Sequence, residues 1–448
     1  MILTIHRGSM QIGGSCVELR SASGSRILLD CGMPLTQRDG SEWPRGTMTR
    51  PGADLRRDGV LPDIDGLYQD SSPGVSALVL SHAHLDHYGL AHHVHPNVPI
   101  YGSRGTIEML RASKLFIPDA DIPTDLHELP VSSPVSFASF SVRGIPVDHA
   151  APDSRALVVE ADEQRLLYSG DLRAHGCRRH LFAELPEATG PIDVLVLEGT
   201  TVGQPRGIHG FADEADVESR LSELLLRDDG LVVVIASGQN IDRATSVYRA
   251  ARAAGRELVI DPYQAYILMA LRQICPEAPQ FDAPSVRVKF IRSHVEKLRE
   301  AGLWALACEM SRAGKVSADQ LAADPRRFVY LARASRATVS LLRVLARTTQ
   351  PTVVWSQWRG YLAKGGPIPR FCAERGIVPL VLHSGGHAHP DDLADLARRV
   401  RPRAVVPIHT ESASQFASFL PNVRVVTDGD PVEVVALFGS ADTLHNWS

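Results

Sequence analysis

The feature that most constrains this chain is a short stretch rich in metal-binding side chains. His82, His84, Asp86 and His87 form the pattern H-x-H-x-D-H, which places four potential ligands within six residues. The preceding segment 76–81 is a short apolar run rich in β-formers and predicts a buried strand. A tight loop at the end of a strand can point alternate side chains into one cavity. Imidazole suits zinc, and a carboxylate suits a second divalent ion or a bridge. The stretch therefore predicts two neighbouring metal ions, the first two histidines on one and the last two ligands on the other.

Further potential ligands recur along the chain, each at the end of a predicted strand. They are Asp30, His149, Asp171, Glu198 and His409. The alternative for the motif is a polar turn that happens to be rich in histidine, but this alternative does not explain the later residues. Asp30 can cap its strand or accept a hydrogen bond from a ligand histidine, and we favour the second role. Asp171 can bridge two ions.

The overall composition narrows the class of protein. The chain has 448 residues, of which 44% are hydrophobic and 22% charged, and its net charge is −4. Such a chain is expected to be globular, with room for two or three domains or for one large domain with an insertion. Because there is no global basic signature, a polyanion site has to be a local cleft with its own positive charge, which metal ions can supply. The six cysteines are scattered, and no apolar run reaches about 18 residues. We therefore expect a cytoplasmic protein without a membrane segment.

The middle of the chain has a different pattern. From about residue 204 to 375, short apolar runs alternate with helical periodicity, which predicts a parallel α/β sheet. Within it, the segment 237–240 reads Ser-Gly-Gln-Asn and precedes a helix that carries Arg243. This arrangement resembles an anion site at a helix N-terminus. Ordinary capping of the helix by Asn240 is the other interpretation.

The final part returns to the first pattern. Residues 377–382 predict another buried strand, which is followed by His383-Ser384-Gly-Gly-His387. A helix is predicted over 391–399, and a further strand over 403–408 ends at His409. A histidine at a strand end is usually structural when it occurs alone, but here it extends a series of potential ligands.

Together these motifs resemble the β-CASP nuclease branch of the metallo-β-lactamase superfamily, which includes ribonuclease J and the mRNA 3′-end-processing endonucleases. The positions that carry the resemblance, in the family's motif order, are Asp30, His82, His84, Asp86, His87, His149, Asp171, Glu198 (motif A), His387 (motif B) and His409 (motif C). Two details depart from the family. Motif A continues as Gly199-Thr200-Thr201 instead of the more usual Ser-Thr, and motif B has a second glycine before its histidine.

The resemblance implies an α/β fold, namely a metallo-β-lactamase αββα sandwich with an inserted α/β cap domain. We expect residues 1–203 to form the first part of the sandwich, 204–375 the β-CASP cap, and 376–448 the return segment of the sandwich.

The resemblance also implies a set of site residues. One ion is expected on His82, His84, His149 and Asp171, and the other on Asp86, His87, Asp171 and His409. Zinc is favoured, with manganese as the alternative. The implied catalytic residues are Asp86, Glu198 and His387, with His387 as the proton donor and Glu198 orienting it. The implied phosphate-binding residues are His383, Ser384, Asn240 and Arg243.

The implied activity is hydrolysis of single-stranded RNA by a hydroxide that bridges the two ions, either within the strand or from its 5′ end. Three alternatives stay open at this point: a DNA nuclease of the same branch, a hydrolase of a small ester or thioester, and an inactive scaffold. The first would share every motif, whereas the second would not require the inserted segment or motifs A, B and C. A scaffold would be expected to lack ligands, and none is missing here. Whether the chain forms a homodimer is also left open.

Overall fold

The computed structural model describes residues 1–37, 39–117, 121–123, 125–205 and 213–438. The chain forms two compact units. The first comprises the described parts of Met1–Ala174, Arg178–Gln204 and Gly386–Ser448, and the second those of His175–Cys177 and Pro205–Gly385. None of the described helices is both long enough and apolar enough to span a membrane.

The first unit begins with fifteen strands and helices in a row. In chain order these are β1 (Ile2–Arg7), β2 (Cys16–Arg20), β3 (Arg26–Leu29), α1 (Gly52–Arg57), β4 (Ala77–Val79), α2 (Leu85–Tyr88), β5 (Ile100–Gly102), α3 (Arg104–Phe116), β6 (Leu126–Glu128), β7 (Val135–Phe137), β8 (Phe140–Pro146), β9 (Arg155–Ala161), β10 (Gln164–Tyr168), α4 (Arg179–Thr189) and β11 (Val194–Glu198).

The second unit follows with alternating helices and strands. They are α5 (Glu214–Arg227), β12 (Val232–Ile235), α6 (Ile241–Ala253), β13 (Glu257–Ile260), α7 (Pro262–Ala270), β14 (Val286–Val288), α8 (Arg292–Glu300), α9 (Trp304–Gly314), α10 (Ala318–Ala323), β15 (Phe328–Ala332), α11 (Arg336–Leu345), β16 (Thr352–Trp355), α12 (Arg359–Ala363), α13 (Pro367–Glu374) and β17 (Leu380–Val381). The first unit is then completed by α14 (Pro390–Val400), β18 (Ala404–Ile408) and β19 (Pro431–Glu433).

Two sheets form the centre of the first unit. The first sheet has the order β19-β1-β2-β3-β4-β5-β6 and the second the order β18-β11-β10-β9-β8-β7. Successive side chains of a strand point to opposite faces of its sheet. The apolar side chains on the facing sides of the two sheets lie in a shared core that includes Leu3, Leu19, Val159 and Val196. Burial of these side chains supplies the main driving force for packing one sheet on the other.

Helices cover the outer face of the second sheet. Phe182 and Leu185 of α4 and Leu393 and Leu396 of α14 pack with the outward side chains of the sheet, such as Leu195. Both helices present an apolar stripe at helical spacing, which is what this burial requires. The mixed α/β architecture agrees with the predicted αββα fold class, which is confirmed.

The strand order explains how distant residues meet. β10, β11 and β18 run parallel to one another, and so do β3 and β4. The carboxyl ends of parallel neighbours lie at the same edge of a sheet. The residues that follow these strands are therefore brought to one edge of each sheet, although hundreds of residues can separate them in the chain.

The second unit contains one six-stranded sheet with the order β14-β13-β15-β12-β16-β17. All of its strand pairs are parallel, as the alternating pattern predicted. The strand predicted over 377–382 forms only at Leu380–Val381 and pairs with β16 of this sheet. Leu380 there is half-exposed, not buried as predicted, because β17 lies at the edge of the sheet. Five of the helices described in this unit, α5, α9, α10, α12 and α13, had not been predicted.

Candidate metal centre

Three imidazoles and one carboxylate converge in the first half of the site. His84 Nδ1 lies 3.1 Å from His82 Nε2 and 3.0 Å from His149 Nε2. Asp171 Oδ2 lies 3.7 Å from His82 Nε2 and 3.9 Å from His149 Nε2. Four donor atoms at these separations surround one point in space, as tetrahedral ligands of a zinc-sized ion do.

Asp171 also reaches the second half of the site. Its Oδ2 lies 3.3 Å from His87 Nε2, and its Oδ1 lies 3.7 Å from His409 Nδ1. Asp86 Oδ2 lies 3.2 Å from His409 Nε2. The structure thus brings together all seven side chains that were predicted as ligands, with Asp171 between the two halves. The sequence predicted two ion sites that share this carboxylate, and that assignment of ligands stays a prediction.

The chemistry of the donors fits divalent cations. Among the residues that the structure describes, His87 Nε2 and Asp171 Oδ1 are buried polar atoms without a hydrogen-bond partner, and such atoms are costly unless something binds them. Burial lowers the pKa of both His82 and His149, so these rings are neutral and keep a lone pair for a metal. Burial also opposes a charge on His87, but Asp171 and Asp30 hold its pKa well above the usual value. These carboxylates favour positive charge at this position, which a divalent ion provides.

Asp30 supports the second half of the site from behind. Its Oδ2 accepts hydrogen bonds from His87 Nδ1 at 2.7 Å, from Ser81 Oγ at 2.7 Å and from the Tyr168 hydroxyl at 2.8 Å. Because the carboxylate can only accept, His87 Nδ1 carries a proton, and Nε2 faces Asp171. Asp30 has a left-handed backbone with φ of 59°, a strained conformation of the kind that tends to occur at functional sites.

The motif loop packs closely against the residues after β3. A Cβ atom on Gly32 would lie 1.7 Å from the carbonyl oxygen of Asp86, so only glycine fits there. The contact holds the loop in place through hydrogen bonds from Cys31 N to His87 O and from Ser15 N to Asp86 O.

Two more ligand candidates are oriented by neighbours that the sequence did not reveal. His149 Nδ1 donates to the carbonyl oxygen of Gly386 at 2.6 Å. His409 Nδ1 lies 2.8 Å from Thr200 Oγ1. The register of β11 and β18 pairs Glu198 with Ile408, and this pairing sets Thr200 beside His409.

Glu198 and His387 lie beside the converging ligands. The Glu198 carboxylate is buried and accepts from the backbone N–H of Thr200 at 3.0 Å and of Ala388 at 3.3 Å. His387 Nδ1 lies 3.5 Å from Glu198 Oε1 and 3.7 Å from Asp171 Oδ2. Burial opposes a charge on the ring, but Glu198 and Asp171 together raise its pKa to about 9. These donors lie close enough to His409 and Asp171 to form a further candidate metal group.

The predicted phosphate-binding residues all lie in the second unit. Asn240 caps α6, and its side chain accepts from Arg243 N at 2.9 Å. The Arg243 side chain is fully buried and binds Glu214 Oε1 at 2.6 Å and Oε2 at 3.0 Å. It also lies 3.4 Å from both His383 Nδ1 and Ser384 Oγ. The geometry therefore supports capping for Asn240 and a positioning role for Arg243.

The sequence interpretation missed several supporting residues. Ser81, Tyr168, Thr200 and Glu214 make the hydrogen bonds described above. Thr200 lies in the part of motif A that departs from the family's usual residues. That departure was the one sequence signal that could have drawn attention to its position. A serine, a tyrosine or a glutamate in a strand or helix carries no comparable signal, because its partner is far away in the chain.

Comparison with known proteins shows what this chain is similar to. Residues 26–217 match the family described as the beta-lactamase superfamily domain. The predicted resemblance to the metallo-β-lactamase superfamily, and to its β-CASP branch that includes ribonuclease J, is confirmed by these similarities.

The curated relatives carry names from that branch. Ribonuclease J of Sinorhizobium meliloti is 24% identical over 91% of this chain and 70% of its own length. Ribonuclease J 2 of Streptococcus pyogenes is 23% identical over 96% of this chain and 75% of its own length. A solved structure of a protein of unknown function from Enterococcus faecalis V583 superimposes with a TM-score of 0.74 and 21% identity, over 96% of this chain and 99% of that one. The structural likeness shows the shared fold.

Proposed function

We propose that this protein is a metal-dependent hydrolase that cleaves phosphodiester bonds in single-stranded RNA. The observation that carries the proposal is the convergence of seven potential ligands, Asp171 among them, with His387 beside them. The similarity to proteins named ribonuclease J supports RNA as the substrate. DNA is the alternative polymer.

The ligand roles follow from the two halves of the site. His82, His84 and His149 would hold one ion, Asp86, His87 and His409 would hold the other, and Asp171 would contribute to both. Zinc is the preferred metal because imidazole dominates the donor set, and manganese is the alternative. When bound, such a pair of ions activates water as a nucleophile and neutralises charge on the phosphate. Asp30 keeps His87 in the tautomer that binds metal through Nε2.

His387 is the proposed proton donor to the leaving 3′ oxygen. Its ring is partly accessible, with 24% of the side chain exposed, whereas Glu198 beside it is almost completely buried. The carboxylate of Glu198 is held by two backbone N–H groups, so it can orient the imidazole and favour its protonated form.

The second unit is proposed to contribute phosphate contacts. His383 and Ser384 are the leading candidates, and Arg243 fixes both side chains through its contacts with them. Asn240 contributes through the cap of α6. We retain the proposed domain division into 1–203, 204–375 and 376–448 as metallo-β-lactamase domain, β-CASP cap and return segment. The pairing of β17 with β16 favours a later start for the return segment.

A cytoplasmic location fits this activity, since all six cysteines are free and free thiols suit a reducing compartment. Homodimer formation is an open part of the proposal.

The decisive experiment incubates purified, zinc-loaded protein with single-stranded RNA and with DNA of the same sequence, each labelled at one end. Asp171→Ala serves as the matched inactive variant. We expect RNA products that depend on the metal and disappear with the variant, and their sizes will distinguish internal cleavage from cleavage at the 5′ end. Cleavage of DNA alone would reassign the substrate. The absence of cleavage of either polymer would contradict the proposal.

A further inference from the structure

The second unit contains a basic cavity that the metal chemistry does not use. Its volume is about 530 Å³. Four basic side chains, one carboxylate and one aromatic ring stand out in its lining: Lys289, Arg292, Arg299, Lys315, Glu296 and Phe290. A cavity of this size falls within the range of small-molecule sites.

The backbone fixes the two lysines at the end of an edge strand. Lys289 directly follows β14, and its N–H donates to the carbonyl oxygen of Ile260 at 2.8 Å. Lys315 forms a parallel bridge with Val288, the last residue of β14. Ligands of parallel α/β sheets bind outside the carboxyl ends of the strands, and the lysines lie at such an end.

The positive charges of the two lysines in the cavity are not neutralised by carboxylates of the described residues. Among the residues that the structure describes, neither Lys289 nor Lys315 has a carboxylate within 4.0 Å. Burial, followed by the charge of Lys315, lowers the pKa of Lys289. The carboxylate of Glu296 is engaged by Arg292 at 2.8 Å. The guanidinium carbon of Arg299 lies 4.6 Å from the centroid of the Trp304 ring. This contact does not neutralise the positive charge of Arg299. An anion bound here would relieve the repulsion between the lysines.

An aromatic ring lies beside the two ammonium groups. Phe290 is half-buried, Lys289 Nζ donates to its carbonyl oxygen at 3.3 Å, and Lys315 Nζ lies 5.9 Å from its ring centroid. Sites for single-stranded nucleic acid combine positive groups for phosphate with aromatic rings on which bases stack. The pairing of a ring with unmatched lysines fits a nucleotide better than it fits inorganic phosphate.

We propose that this cavity binds one phosphorylated nucleotide, with Lys289 and Lys315 holding the phosphate and Phe290 contacting the base. The occupant is either a free mononucleotide or a nucleotide unit of an RNA strand. Only the second of these sources rests on the proposed function, because it assumes an RNA substrate.

Photolabelling tests the site directly. The full-length protein is irradiated with 8-azidoadenosine 5′-monophosphate, and in a second arm with a single-stranded RNA that contains 8-azidoadenosine. Labelled peptides are then identified by mass spectrometry. We expect label within 289–299 or 315–318, competition by adenosine 5′-monophosphate, and no competition by adenosine. The variant Lys289→Gln/Lys315→Gln should reduce this label by about tenfold, as expected when charge-assisted contacts are lost. Lys364→Gln, an exposed lysine outside the cavity, should not.

The two arms separate the sources. Label from the mononucleotide supports a free nucleotide. Label from the RNA alone supports a strand unit, and the salt dependence of RNA binding should then weaken by a slope of about 0.7 for each lost phosphate contact. No label in these peptides from either probe would overturn the proposal, as would undiminished label in the double variant. Thermal unfolding checks that the double variant is folded. If the double variant is unfolded, the test is repeated with the single variant Lys315→Gln, which changes an exposed position. Failure of RNA cleavage would not affect the mononucleotide result.

Discussion

Two buried networks of charged side chains, one in each unit, differ in how completely they are satisfied. Around Asp171 the donor atoms of four histidines point towards shared centres, and no described residue hydrogen-bonds to His87 Nε2 or Asp171 Oδ1. Around Arg243, by contrast, the guanidinium is bound by both oxygens of Glu214 and by the side chain and carbonyl of Ser356. Both networks are buried and rich in charge.

The difference shows how a ligand site can be told from a structural network. A network that closes on itself stabilises the fold, because every buried charge has its partner. A network with unsatisfied atoms aimed at one point is arranged for something that the protein chain does not supply. Four predictions test this distinction, in order of decreasing effect.

The largest effect is expected from Asp171→Ala. The protein should bind about two divalent ions per chain, as two complete ligand sets require, and the variant should lose most of both because the shared carboxylate is gone. Cleavage of RNA should be lost with them. Elemental analysis of the purified proteins measures the metal content. His409→Ala should empty mainly one position, and His180→Ala, at an exposed histidine, should keep both ions. One ion or none in the unchanged protein would contradict a dinuclear site.

The next effect is expected from His387→Ala. The variant should keep two ions and a normal unfolding transition, but cleave RNA about 10²–10⁴-fold more slowly, which is the usual contribution of a general acid. The defect should shrink on a substrate with a nitrophenolate leaving group, since that group needs no proton. Single-turnover rates on both substrates, with metal analysis alongside, measure these quantities. Loss of a metal ion would identify His387 as a ligand, in line with its proximity to Asp171 and His409.

A substitution in the closed network around Arg243 should lower the stability of the protein and leave its metal content unchanged. Glu214→Ala leaves the buried Arg243 without its carboxylate, and breaking such a pair costs about 3–5 kcal/mol of unfolding free energy. Urea unfolding followed by tryptophan fluorescence measures this, because Trp304, Trp355 and Trp358 all lie in the second unit. Glu223→Ala on the same helix, at an exposed position, should change stability by less than about 0.5 kcal/mol. Metal content should be unchanged in both variants. A loss below about 1 kcal/mol for Glu214→Ala would mean that the network is not closed.

The smallest effect is expected from Glu198→Gln. The amide keeps the shape of the side chain but removes the charge that favours a protonated His387, so RNA cleavage should fall by about 10–100-fold, as for other supporting residues of metal sites. Metal content should stay at the level of the unchanged protein. Steady-state rates on RNA and on the nitrophenyl substrate measure the effect, and an equal loss on both would argue against a role through His387.

Much of this architecture follows from local sequence. The H-x-H-x-D-H motif and the strand-end residues Asp171 and His409 identified the ligand candidates, because the pattern of a strand followed by a polar turn is visible within a few residues. The parallel sheet of the second unit was equally predictable, since short apolar runs alternate with helical periodicity over this part of the chain.

Only the tertiary structure decided which atoms face one another. The sequence could not show that the hydroxyl of Tyr168 meets Asp30, that Thr200 meets His409, or that Glu214 holds Arg243, because strand register and sheet order create these contacts across long separations. Tertiary structure also explains why the buried strand predicted over 377–382 was partly wrong. Only the two residues that pair with β16 form a strand, and their position at the edge of the sheet leaves them partly exposed despite the apolar sequence. The lysines at 289 and 315 are likewise ordinary in sequence. They form a site only because a strand end and a neighbouring segment meet in space.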